Sequence, residues 1–173
     1  MDDSTRKEIL SLVERAVRAQ VAGEPLPDPE PKSEPLSEAG ACFVTLRIDG
    51  NLRGCIGTIS PASDNLAQEL VRNAVGACSR DPRFAPVAES ELDHLEYSVS
   101  LLQAPESVSG PEELDPQRYG VIVSAGKKRG VLLPGIPGID TVERQLQVTL
   151  RKAGIPKDTP YSIQRMDVEH VEA

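Results

Sequence analysis

The chain has 173 residues, of which 39% are apolar and 27% are charged, a composition typical of a soluble globular protein with a core of its own. Its 27 acidic and 19 basic residues give a net charge of −8, which disfavours general binding to nucleic acid, although a local basic patch would still permit it. The acidic N-terminus lacks the features of a signal peptide, and no stretch has the ~20 apolar residues of a membrane span, so we expect a cytoplasmic protein without a membrane partner.

The first part of the chain is predicted to contain a helix, a proline-rich arm and a β-hairpin. Thr5 followed by Glu8 fits a capping box, and apolar residues then recur at helical spacing to about residue 21. Residues 22–40 contain five prolines and are expected to form an extended linker. The dipeptide Asp49-Gly50 is a strong hairpin signal, and it separates two predicted strands, 41–48 and 51–59.

The remainder of the chain alternates helices with antiparallel strands. Ser60-Pro61 fits an N-cap and a first helical position, apolar residues at helical spacing continue to Cys78, and Asp81-Pro82 ends the helix. Further predicted elements are a strand at 95–103, a hairpin at 119–124 and 129–133, a helix from Asp140 to Gly154, and a strand at 161–168. Helices and hairpins mix without a βαβ rhythm, which favours an α+β fold.

The register of the first hairpin predicts which of its side chains are buried. A three-residue loop, 49–51, leaves one wholly apolar face, which pairs Ile48 with Leu52, Leu46 with Gly54 and Val44 with Ile56. The opposite face then pairs Arg47 with Arg53, Thr45 with Cys55 and Phe43 with Gly57. A two-residue loop would set Leu46 beside Arg53 and mix the two faces, so burial favours the three-residue loop.

Cys55 is the candidate catalytic residue of this hairpin. Arg47 and Arg53 lie one pair away from it, and nearby cations favour the reactive thiolate form of a cysteine. Gly54 and Gly57 flank Cys55 and allow another backbone or a ligand to come close. Because two directly opposed cations need an anion, the arginine pair predicts a buried carboxylate or a bound anionic ligand. The alternative is that Cys55 is a small buried hydrophobic residue, as most free cysteines are.

The same stretch carries a resemblance to a known family. Leu52–Gly57 reads LRGCIG, which is similar to the signature of the AMMECR domain family, also known as protein A of AmmeMemoRadiSam systems. Asp81–Phe84 resembles the DPRF segment of that family, and residues 40–46 resemble its first strand. The resemblance extends over residues 5–168, and LRGCIG followed by DPRF is a specific combination.

This resemblance implies both a fold and a functional context. The fold would be α+β, an antiparallel sheet flanked by helices with a smaller subdomain that includes chain-terminal segments, and residues 1–173 would form a single domain. Members of the family are linked to Memo-like and radical S-adenosylmethionine proteins, which implies a role in an enzymatic modification pathway. No biochemical activity is established for the family, and its suspected site maps here to Arg53, Gly54, Cys55 and Gly57.

Asp81 and Arg83 complete the set of candidate ligand-binding residues. Asp81 could accept hydrogen bonds from backbone amides or pair with an arginine such as Arg53, and the planar guanidinium of Arg83 suits a carboxylate or phosphate. The alternative is a rigid turn at the helix exit. With three cysteines, no CxxC pair, two histidines and no HExxH motif, the sequence predicts free thiols, no metal site and no cofactor.

Two hypotheses from different functional classes remain open. In the first, the chain is an enzyme or enzyme subunit that binds a small anionic or nucleotide-like substrate over Arg47, Arg53 and Cys55. In the second, it is a non-catalytic binding module whose LRGCIG segment is structural, and the chemistry belongs to a partner protein. The lack of an acid–base partner for Cys55 favours the module, whereas the paired arginines and flanking glycines favour a ligand pocket.

Overall fold

Two units, each with its own core, make up the structure, a computed structural model that describes residues 1–172. The larger unit comprises Met1–Leu101 and the end of the chain from His170, and the smaller comprises Leu102–Glu169. Met1 and the last described residues, 170–172, therefore belong to the larger unit. Helices combined with antiparallel strands confirm the α+β class.

The larger unit begins with helix α1, Asp3–Ala22. It starts earlier than the predicted capping box at Thr5, because the Asp2 side chain accepts the Thr5 N–H at 2.8 Å and caps the first turn. Gly23, with φ +70°, ends the helix in the left-handed conformation. The proline-rich arm that follows contains one short helix, α2, Glu34–Ser37.

Strands β1, Ala41–Ile48, and β2, Asn51–Gly57, form the predicted antiparallel hairpin. From Phe43 to Leu46 the pairing is as predicted, but a bulge follows, and Arg47 then lies opposite Leu52. The predicted Arg47–Arg53 pair is therefore wrong. Asp49 and Gly50, with φ values of +49° and +74°, form a two-residue turn, and Arg53 is the extra residue that the bulge absorbs.

Helix α3, Leu66–Ser79, covers one face of this hairpin. It begins later than Ser60-Pro61 predicted, because the Asn65 side chain accepts the Gln68 N–H at 2.9 Å and caps it. The fully buried carboxylate of Glu69 accepts hydrogen bonds from the Thr58 hydroxyl and the Ala62 amide, which keeps the preceding loop out of the helix.

A six-residue 3-10 helix, Glu89–His94, leads into strand β3, Glu96–Leu102, and the strand order in this unit is β2-β1-β3. The core of the larger unit lies between this sheet and the helices α1 and α3. Its fully buried large side chains include Ile9, Val13, Leu46, Leu70 and Val99. The opposite face of the hairpin carries Thr45 and Cys55, which leaves them outside the core.

The smaller unit contains the remaining strands and one long helix. Its elements are β4, Glu106–Ser107; β5, Tyr119–Ala125; β6, Lys128–Leu132; α4, Val142–Ala153; and β7, Ser162–Glu172, whose last residues belong to the larger unit. Strand β5 lies between β6 and β7, and β4 pairs with β7. Helix α4 packs on β5 and β6 and ends at Gly154, as predicted.

Candidate functional site

Cys55 lies in the middle of β2, and its side chain is partly exposed. It pairs with Thr45 on β1, as predicted, and the Thr45 hydroxyl donates a hydrogen bond to Sγ at 3.2 Å. The other two cysteines, Cys42 and Cys78, are buried. Burial raises the pKa of the Cys42 thiol to about 12 and also raises that of Cys78. Cys55 is therefore the one thiol among residues 1–172 that solvent reaches.

The backbone of Cys55 is held by two side chains of the DPRF segment. Asp81 Oδ2 accepts the Cys55 N–H at 2.8 Å, and Arg83 Nη2 donates to the Cys55 carbonyl oxygen at 3.2 Å. Arg83 also donates to both carboxylate oxygens of Asp81, at 3.0 and 2.7 Å. The Asp81 side chain is only 2% exposed, and the Arg83 guanidinium holds its pKa well below the usual range.

Arg53 makes a second clamp, with Glu91 of the 3-10 helix. Its Nε and Nη2 donate to the two oxygens of Glu91 at 2.7 and 2.9 Å, a bidentate ion pair. Arg53 also donates to the carbonyls of Ala85 and Pro86 at 3.0 and 3.2 Å. The hydrogen bonds from the Arg53 guanidinium, together with one from the Ala88 amide, lower the pKa of Glu91 to about 2. Asp81 was expected to accept hydrogen bonds from backbone amides or to pair with an arginine such as Arg53. It accepts the Cys55 N–H and pairs with Arg83, so only the choice of Arg53 is wrong.

The Phe84 ring lies near the guanidinium groups of both Arg53 and Arg83. The guanidinium carbons of Arg53 and Arg83 lie 6.0 and 5.5 Å from the centroid of its ring, within the range of a cation–π contact. The aromatic ring of DPRF therefore lies near both arginines of the site. Glu91 was not singled out in the sequence. It accepts the Ala88 N–H at 2.8 Å, but alanine has no capping side chain, so no capping-box pattern indicated this role.

The glycines of the signature allow close packing within the protein. A Cβ atom on Gly54 would collide with the carbonyl oxygen of Ala77 in α3. A Cβ on Gly57 would collide with the Phe43 ring and lie 2.5 Å from the Cys42 carbonyl oxygen. Of the two possibilities open for Gly54, a close backbone or a close ligand, a backbone occupies the space.

Arg47 takes part in a different contact from the other predicted site residues. Its Nη1 donates to the Ser98 hydroxyl on β3 at 3.1 Å. Arg47 also lines a cleft of about 900 Å³ between α1 and β3, whose other residues include Lys7, Glu14 and Tyr97. Direct hydrogen bonds thus join Cys55, Asp81 and Arg83, whereas Arg53 bonds to Glu91 and meets Arg83 only at the Phe84 ring. The structure assigns Arg47 to the cleft.

The atoms available to an outside molecule in this site are few. All three donor nitrogens of Arg53 are engaged, whereas Arg83 is 54% exposed and its Nη1 makes no hydrogen bond within residues 1–172. The polar partner of Cys55 Sγ is a hydroxyl and not a histidine or carboxylate, and His170 Nδ1 bonds to Ser100 at 3.1 Å. The arrangement can therefore contact an anion through Arg83 beside the thiol.

Two further properties concern the described residues as a whole. Within residues 1–172, no three histidine, cysteine, aspartate or glutamate side chains are grouped so that they could hold a metal ion. None of the helices in that range is both long enough and apolar enough to cross a membrane.

Comparison with known proteins relates this arrangement to a family. The AMMECR1 family model matches residues 10–173. A protein of Thermotoga maritima is 49% identical over 145 residues, which cover 83% of each chain. Protein CA_C1420 of Clostridium acetobutylicum is 49% identical over 132 residues, which cover 76% of this chain but only 28% of that longer protein.

A solved structure gives the same result at the level of the fold. The crystal structure of Uncharacterized Protein PH0010 from Pyrococcus horikoshii superimposes with a TM-score of 0.88 and 30% sequence identity. The match covers 98% of this chain and 92% of that one. With the family model matched from residue 10 to residue 173, this chain belongs to the AMMECR1 family.

Proposed function

We propose that this chain is a binding component of a modification pathway that also uses Memo-like and radical S-adenosylmethionine proteins. In this proposal a small anionic ligand sits beside Cys55 and is held by Arg83. The observation that carries the proposal is the exposed guanidinium of Arg83, which Asp81 fixes in place while Nη1 makes no bond to residues 1–172. The Clostridium relative supports a modular role, because a region like this chain forms only part of a longer protein.

The contacts of the signature favour binding over catalysis by this chain alone. Arg53 is fully engaged with Glu91 and two carbonyls, and Gly54 is packed against α3. These two residues therefore act as a rigid support for the strand. Nucleophilic catalysis by a thiol normally uses an adjacent base, and the hydroxyl of Thr45 is not one.

A cysteine nucleophile that acts on the bound ligand is the second candidate. The partial exposure of Cys55 favours this candidate, because a nucleophile must be accessible to the ligand. Cys42 and Cys78 are buried and do not meet this condition. The two candidates share the anion site and differ in whether the thiol forms a covalent bond. The test below addresses the shared part first.

The test compares two alkylating reagents at Cys55, the anionic iodoacetate and the neutral iodoacetamide. A cation at roughly 4 Å attracts an anion by about 1 kcal/mol in water, so we expect the ratio of their rates at Cys55 to exceed that of free glutathione by about fivefold. Arg83→Gln should abolish this excess, and Arg83→Lys should retain most of it. The measurement is alkylation resolved peptide by peptide by mass spectrometry.

Arg80→Gln is the matched control, because Arg80 is an exposed arginine of the same segment that bonds to the Arg72 carbonyl and not to Asp81. It should leave the rate ratio unchanged. The buried Cys42 and Cys78 report on folding, since they should remain unmodified in every folded variant. An unaltered ratio in folded Arg83→Gln would overturn the anion site.

A further inference from the structure

We propose a second ligand site in the smaller unit, for a small molecule that joins an apolar body to an anionic carboxylate or phosphate group. The site is a groove of about 460 Å³ between the exposed side of α4 and the loop that follows it. Ligand pockets typically have volumes of about 300–1,000 Å³, so the groove is large enough for a metabolite-sized molecule. None of the residues of the LRGCIG or DPRF segments lines it.

The floor of the groove is apolar. Leu146, Leu150 and Ile155 form it, and they are 7%, 7% and 4% exposed and belong to the core of the smaller unit. The half-buried ring of Tyr161 closes one side. A floor fixed by core packing is preformed, and it suits the aliphatic or aromatic part of a ligand.

One end of the groove is cationic. Arg151 and Lys157 both line it, and neither side chain makes a hydrogen bond or an ion pair within residues 1–172. Glu143, the acidic residue of the groove, lies eight residues before Arg151 on α4, about 12 Å away along the helix axis. The two cations are therefore free to bind an anionic group at their end.

The cations of the groove are not needed to cap α4. The amides of Gly154 and Ile155 donate to the carbonyls of Arg151 and Leu150 at 3.1 and 3.0 Å. Lys128 Nζ donates to the Gly154 carbonyl at 2.5 Å. Other groups thus satisfy the carbonyls of Leu150, Arg151 and Gly154, and the Arg151 side chain remains available to a ligand.

The charge of the smaller unit does not oppose an anion. Residues 102–169 contain nine lysines and arginines and nine aspartates and glutamates, so the net charge of −8 resides entirely in the larger unit. An anion that approaches the groove therefore meets a neutral unit with two unpaired cations at the binding position.

The test uses 8-anilinonaphthalene-1-sulfonate as the probe, because it joins an aromatic body to an anion. Tyr97, Tyr119 and Tyr161 lie in different surroundings, so ring-labelled tyrosine gives three reporters in one NMR spectrum, assigned with Tyr161→Phe. We expect the probe to shift the Tyr161 signal and leave those of Tyr97 and Tyr119 in place. Octanoate and phenyl phosphate are then added as competitors, and displacement by either one supports the site and identifies its anionic group.

Arg151→Glu and Lys157→Glu should each weaken probe binding by about tenfold or more, because each loses a charge-assisted contact. Lys127→Glu is the matched control, since Lys127 is an exposed cation of the same unit and does not line the groove. Circular dichroism establishes that the variants fold. Shifts confined to Tyr97, equal binding by all variants, or no displacement by either competitor would overturn the proposal.

Discussion

Gly54 and Arg53 illustrate how single residues of the signature act. Arg53 is displaced from the strand pairing by the bulge, which sends its side chain to Glu91, while Gly54 lets α3 approach the strand. Both residue types could be singled out from the sequence, but their partners could not. A partner 38 residues away in the chain depends on how the intervening helix and loop fold back.

The close contact at Gly54 leads to a stability prediction. Gly54→Ala should destabilise the protein by about 1–3 kcal/mol or more, because a Cβ there collides with the backbone carbonyl of Ala77, which cannot move aside like a side chain. Chemical denaturation measures this change. Gly40→Ala is the control, since its Cβ would meet the flexible Leu66 side chain at 3.2 Å. Equal stability of the two variants would contradict this account of Gly54.

Among the secondary-structure elements, the hairpin β1–β2 was predicted with its residues on the correct faces from Phe43 to Leu46. The turn was predicted wrongly, because a pairing without interruption along both strands separates the apolar and polar faces only with a three-residue loop. A bulge combines a two-residue turn with the register of a three-residue loop, and it keeps Leu46 away from Arg53. Periodicity alone does not reveal an inserted residue.

The ion pair between β2 and the 3-10 helix should make stability depend on pH. The pKa of Glu91 falls from an ordinary value of 4.5 to about 2 in the folded chain. Its contribution is therefore complete above about pH 4.5 and is lost as the pH falls towards 2, where the folded state also takes up the proton. The difference in thermal unfolding midpoint between the wild type and Glu91→Gln should be constant at neutral pH. It should shrink as the pH falls from about 4.5 towards 2.

Thermal melts at several pH values measure this difference, and the contribution of Asp81 cancels because both proteins retain it. Asp93→Asn is the control within the same 3-10 helix, since that carboxylate is 85% exposed and bonds to Arg18 at the surface. Exposed pairs contribute little, so its effect should be small at every pH. A midpoint difference for Glu91→Gln that stays constant down to pH 2 would refute the assigned role of the Arg53–Glu91 pair.

For the whole molecule, the sequence predicted the α+β class and the family, while the division of the core was not visible in it. Apolar periodicity identifies which face of an element is buried, but not which other element covers it. The separate cores around Leu70 and Val123 follow from contacts between distant segments. The prediction that residues 1–173 form a single domain remains a proposal. It can be tested by whether the two units unfold together in one cooperative transition.

Leu70→Ala should lower the stability of the larger unit by about 2–5 kcal/mol, because Leu70 is fully buried. Strand β7 contributes residues to both units. If the units form a single domain, their amides should lose protection from hydrogen exchange at the same denaturant midpoint. Hydrogen exchange of α3 and β5 amides measures this, with Val123→Ala as the reciprocal variant. Protected β5 amides after α3 has unfolded would establish two domains instead of one.

The clamp on Cys55 has one more consequence, which concerns solubility. Strand β2 is the last strand in its sheet, and such a strand normally offers a row of unpaired backbone groups to other chains. At Cys55 both backbone groups are already bonded to Asp81 and Arg83. At Cys55 the DPRF segment thereby occupies the position that an intruding strand would need, and we expect it to hinder edge-to-edge pairing there.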